Sequence, residues 1–109
     1  MKAILIDPWE HSVEQIEIKQ GCDAAALQEL YKLVGEDGLD WVSIMPGECI
    51  CVGDHSALQE PPLASYMVEG IAEPIYGRGV LTGYDGGGNG RDTALSPDFL
   101  FNLITWCSP

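Results

Sequence analysis

EPIYGRGVLTGYDGGGNG, residues 73–90, holds the short apolar strand around which the rest of the chain can be arranged. Val80, Leu81 and Thr82 lie between Gly77, Gly79 and Gly83, and a run of glycines broken only by Asn89 follows. Glycine at this density marks backbone that turns or passes close to a neighbour. Two interpretations compete. In one, Gly77, Gly79, Gly83 and Asp85 cradle a ligand; in the other, the glycines let a central strand pack closely and lead into a loop. A phosphate loop needs its glycines to open a helix, normally with a lysine. Here no lysine follows, Asp85 carries the wrong charge, and the next helix signal begins only at Ser96. Close packing is the better expectation.

Working outward, residues 2–7 (KAILID) are apolar on both faces, as in a strand inside a sheet. Pro8 opens a five-residue turn, and residues 13–19 (VEQIEIK) alternate Ile16 and Ile18 with polar residues. Val13 is out of parity with the two isoleucines, which suggests a bulge or a later strand start. Asp23 is suited to an N-cap. Leu27, Leu30, Tyr31 and Val34 form a helical stripe that Gly35 can end. Residues 39–45 (LDWVSIM) and 49–52 (CICV) read as a second hairpin around Pro46 and Gly47, with Trp41 expected in the core. A short strand is expected at residues 66–68. Ser96, Pro97 and Asp98 start a last helix whose apolar face is Phe99, Leu100, Leu103 and Ile104. The expectation is a single α+β domain over residues 1–109, in the order ββαββ(β)βα. It is a mostly antiparallel sheet of about five strands with two helices against one face.

Five pieces in this order carry a likeness: MKAILIDP, VEQIEIK, LQELYKLVG, WVSIMPGE and PIYGRGVLTGYDGGG. Together they resemble domain of unknown function 3846, a family of short proteins from bacteriophages, plasmids and their bacterial hosts. The most specific parts are MKAILIDP and the G-x-G-x-x-x-G-x-D of Gly77, Gly79, Gly83 and Asp85. The chain departs from the family where VGDHSAL replaces an aspartate-rich stretch, and in the length of its glycine run. The resemblance implies mobile-element origin and an ancillary role, and it implies no reaction.

Charge narrows the function classes. Seventeen acidic residues face five basic ones, a formal −12. No base lies between Lys32 and Arg78, an interval that carries Glu36, Asp37, Asp40, Glu48, Asp54, Glu60, Glu69 and Glu73. Such a field repels phosphates, so direct nucleic-acid binding is disfavoured. It suits solubility, a basic protein partner, or imitation of a phosphate backbone. No apolar run is long enough to span a bilayer, no secretory signal is evident, and a cytoplasmic location is expected.

Other sites have weaker patterns. Cys49, Cys51 and His55, with Cys22 or Cys107, lack the paired spacing of a zinc site, and Asp85, Asn89 and Asp92 lack EF-hand spacing. Cys49 or Cys51 beside His11 or His55 could be drawn as a nucleophile and base, but no third group orients them. No metal, cofactor or catalytic residue is assigned. The residues expected at a partner surface are Trp9, Glu36, Asp37, Asp40, Asp54 and Glu60, with a basic host protein as partner. Trp9 would be an exposed anchor in its turn. The alternatives are a small-ligand protein or enzyme using residues 77–90, and a homodimer formed by pairing edge strands.

Overall fold

The structure is a computed structural model that describes residues 1–19, 24–35, 38–54, 64–86 and 90–107. Its elements are β1 (Lys2–Asp7), β2 (Ser12–Glu17), α1 (Ala24–Val34), β3 (Leu39–Met45), β4 (Glu48–Gly53), β5 (Ser65–Val68), β6 (Ile75–Tyr76), β7 (Gly79–Tyr84), β8 (Gly90–Arg91), α2 (Pro97–Leu103) and β9 (Ile104–Cys107). The protein is α+β, and among the described residues every strand pairing is antiparallel. The larger sheet runs β2-β1-β7-β4-β3, with β8 beside β7; a smaller sheet runs β6-β5-β9.

β7 sits in the middle of the larger sheet because it can be buried on both faces. Val80 and Leu81 are fully buried and belong to two separate apolar clusters. Successive strand residues point to opposite faces, so the sheet divides the core in two. On one face Ala3, Cys51 and Val80 pack under Leu30 and Val34 of α1. On the other, Ile4, Ile6, Ile50 and Leu81 pack against Tyr66 and Val68 of β5, Ile75 of β6 and Leu100 of α2. Five large residues at 0% exposure from β1, β4, β5 and β7 (Ile4, Ile6, Ile50, Tyr66 and Leu81) meet in this second cluster, which makes it the main core.

Several sequence expectations need correction. The two helices lie on opposite faces, because α1 packs over Ala3 and Val80 while Leu100 of α2 joins Ile4 and Leu81. Val13 causes no bulge. β2 pairs with β1 in unbroken register from Lys2↔Glu17 to Asp7↔Ser12. Val13 packs against the main core while Ile16 packs on the α1 side, so a sheet covered on both faces accommodates both parities. The last helix stops at Leu103, and Ile104, Thr105 and Trp106 continue as β9 along β5. Two of these three are β-branched and the third is aromatic, a composition that favours a strand once β5 offers a free edge. Phe99 is exposed, and Leu100 alone in α2 is buried.

Trp41 is not a core residue either; it is 48% exposed. It points to the α1 side of the sheet from β3, the outermost strand. The cluster under α1 takes Leu39 of β3 but not Trp41. In α1 the buried line is Ala26, Leu30 and Val34, with Leu27 and Tyr31 at its margin. Gly35, at φ 81°, closes the helix by donating its N–H to the Tyr31 carbonyl at 2.8 Å. The expected N-cap Asp23 lies outside the described residues. At α2, Ser96 caps as expected, its hydroxyl accepting the Phe99 N–H at 3.2 Å. Among the described residues no helix is long and apolar enough to cross a membrane.

Candidate functional site

Strand register fixes what sits at each end of the larger sheet. Ile6 pairs with Gly79, Leu39 pairs with Gly53, and Cys51 pairs with Val80. The end of β1, the start of β7, the end of β4 and the start of β3 therefore form one end of the sheet. Trp9, Arg78, Asp54 and Asp40 follow or border these strand ends. Tyr84, Asp85 and Gly86 lie at the opposite end, about 20 Å away along the six-residue β7. Of the glycine candidates, Gly77 and Gly79 therefore lie at the Trp9 end, and Gly83 and Asp85 lie toward the other end.

At the first end, Asp7 organises the turn after β1. Its Oδ1 accepts the N–H groups of Trp9 at 3.0 Å and Glu10 at 3.2 Å. Its Oδ2 accepts from Nε of Arg78 at 3.2 Å. Arg78 in turn lies over the Trp9 ring, 5.3 Å from its centroid. The ring is held in place yet stays 49% exposed. The turn closes at His11, whose φ is +51° and whose imidazole stacks on Trp106 at 5.0 Å and 2°. Trp106 meets Tyr66 edge-on at 6.0 Å, so the turn is tied through two aromatic rings to the main core.

β3, three strand spacings or about 14 Å across the sheet from β1, borders with β6 a shallow groove of about 170 Å³. Val42, Val52 and Ile75 supply its apolar lining, and Asp40, Asp54 and Glu73 supply three carboxylates, with Tyr76 beside them. Asp40 accepts the N–H of Trp41 at 2.9 Å. The Asp54 carboxylate lies against the Cα of Gly38. Lining this groove are Asp40 and Asp54 of the expected partner residues; Glu36, Asp37 and Glu60 lie outside the described residues.

The opposite end is held by its own contacts. Glu48 is buried, and its carboxylate accepts from the Thr93 hydroxyl and from the Ala94 N–H at 3.2 Å. Arg91 completes this cluster, 3.6 Å from Glu48 Oε2. It also donates to the carbonyls of Tyr84, Gly47 and Asp92. Arg91, which follows Gly90, is therefore already engaged within the protein, which weighs against an anionic ligand at this end. Gly83 and Gly79 are accounted for by close approach. A Cβ at Gly83 would meet the Asp92 carbonyl oxygen at 2.6 Å. A Cβ at Gly79 would collide with the Tyr66 hydroxyl and stand 2.7 Å from Ile50. Gly77, at φ 80°, donates to the Ala64 carbonyl at 2.8 Å. Asp85 is exposed; the loop expected at residues 86–90 falls mostly outside the described residues.

Cys49 and Cys51 lie on the α1 face of the sheet, away from His11. Cys51 is buried under α1, and burial, then neighbouring Cys49 and Asp40, pushes its thiol up to about 12. Burial also raises the Cys49 thiol, against a contact with the Thr82 hydroxyl. His11 packs on Trp106 on the other face of the sheet. His55 and Cys22 lie outside the described residues, among which no three potential ligands come together.

Sequence reasoning singled out Trp9 and the acidic interval and passed over Asp7 and Arg78, which fix the Trp9 ring. The signal for Asp7 was its place directly before Pro8, where an aspartate commonly holds a turn by accepting its N–H groups. No family model matches the chain, and neither a curated protein nor a solved structure does.

Proposed function

We propose that this is a small acidic accessory protein that acts by protein–protein contact, engaging a basic partner at the Trp9 end of the larger sheet. The observation that carries this reading is the Trp9 ring, clamped by Arg78 and Asp7 yet half-exposed, at the end that also bears the acid-lined groove. A preorganised aromatic anchor beside charge is the composition of a contact surface, because ordering costs are already met in the free protein. The resemblance to domain of unknown function 3846 supports an ancillary role in a bacteriophage or plasmid. The partner would then be a basic host protein of nucleic-acid binding or defence, met in the cytoplasm. Formal charge of −12 supports steering toward such a protein and opposes direct contact with nucleic acid.

The test is capture of host proteins on the immobilised chain at low and high salt, compared with Trp9→Ala and with Asp40→Asn/Glu73→Gln. The expected result is a partner released by salt and lost with both variants. Capture that ignores salt and both variants contradicts the reading.

A further inference from the structure

We propose that the groove between β3 and β6 receives an extended, basic segment of the partner, which adds as a further strand to the edge of β3 that faces away from β4. This rests on the protein-contact reading above and names the partner's contacting element.

Three observations carry it. First, β3 is the outermost strand of its sheet and pairs, among the described residues, only with β4. The Trp41 N–H donates to the Asp40 carboxylate at 2.9 Å, so this donor faces away from β4. Alternation in an antiparallel ladder puts the Ser43 N–H on the same side. Second, Asp40 and Val42 lie on the face of β3 that lines the groove. A strand beside β3 sends every second side chain to that face. Third, the lining chemistry is specific. Val42, Val52 and Ile75 suit an apolar side chain, and Asp40 and Glu73 suit a lysine or arginine two residues from it. Asp40 then has two roles. In the free protein its carboxylate occupies the Trp41 N–H; an incoming carbonyl takes that N–H and frees the carboxylate for the incoming cation. A second copy of the chain is a poor occupant, because pairing two β3 edges brings two acidic rims together.

The probe is a fluorescently labelled peptide of alternating lysine and valine, titrated with the full chain and followed by anisotropy. Binding weakens about tenfold in Asp40→Asn/Glu73→Gln, as expected for two partly exposed charge pairs. It changes by less than about twofold in Trp9→Ala, because Trp9 follows β1, three strand spacings from Asp40 of β3. A peptide of the same composition with its lysines and valines in separate blocks binds more weakly. Methylating alternate peptide N–H groups abolishes binding in one frame and spares it in the other, since only one set faces β3. Equal binding by the blocked peptide and both methylated frames means charge attraction alone and overturns the proposal, as does binding by none of them. Dimers that compete with the peptide would overturn it in favour of self-pairing. If the partner is captured through Trp9 while every peptide is ignored, the strand proposal falls and the contact reading stands. Peptide binding without Trp9-dependent capture gives the reverse.

Discussion

Arg78 lies over Trp9, its guanidinium carbon 5.3 Å from the ring centroid, and the same side chain is tethered to Asp7 at 3.2 Å. The two residues stand far apart in the sequence and meet because β1 and β7 are neighbours with Ile6 beside Gly79. The contact presents the indole instead of burying it. Arg78→Ala is therefore expected to cost little stability, about 0.5–1 kcal/mol for an exposed cation–π contact. It should weaken partner capture as much as Trp9→Ala does. Denaturant melts and capture on the same samples separate the two effects.

Tyr66 offers a sharper stability test. Its hydroxyl is buried in the main core with no hydrogen-bond partner among the described residues, directly beneath Gly79. Tyr66→Phe removes an uncompensated polar group and should raise stability by about 1 kcal/mol. Gly79→Ala should lower it by about 2–3 kcal/mol through overpacking. In the Tyr66→Phe background that loss should shrink, because the hydroxyl is the nearest atom to the added methyl. Additive effects would contradict this geometry.

The cluster at the other end behaves as one unit. Glu48→Ala leaves the Thr93 hydroxyl and the Ala94 N–H without their acceptor, and Arg91 without its carboxylate. The expected cost is about 3 kcal/mol. Thr93→Ala should cost about 1 kcal/mol alone and much less once Glu48 is gone. Neither change should affect partner capture beyond the loss of folded protein.

The Cys51 thiol predicts a pH effect of defined sign. Burial raises it to about 12 in the folded protein from an ordinary value of 9.0. Between these values the folded state holds a proton that the unfolded chain has lost, so stability falls as pH rises. The contribution is complete below pH 9 and is lost progressively up to about pH 12. Cys51→Ala should flatten this limb of the stability profile. For the same reason, alkylation of Cys51 near pH 8 should follow unfolding rather than precede it.

How much of this was legible in the sequence depends on the range of the forces involved. β1, β3, β7 and the start of α2 follow from local pattern: unbroken apolar runs, flanking glycines, and Ser96-Pro97-Asp98. The exposed Trp9 also follows from its turn. β9 did not, because Ile104 continues the apolar helix stripe of Leu100 and Leu103, and only pairing with β5 shows the strand. Trp41 was misplaced because its exposure depends on β3 being outermost, which is a matter of strand order. Arg78 and Asp7 were missed as a pair for the same reason: nothing local links residues separated by most of the chain. The groove likewise needs β6, two residues long and visible only through its pairing with β5.

The most direct test is hydrogen exchange on the captured complex, compared residue by residue with the free protein. Binding at the Trp9 end should slow exchange in the turn at residues 8–11, along Leu39–Met45, and at residues 73–78. Exchange at Asp85, Gly90 and Arg91 should stay unchanged. Protection confined to those last residues, with the Trp9 end exchanging as in the free protein, would contradict the proposed contact surface.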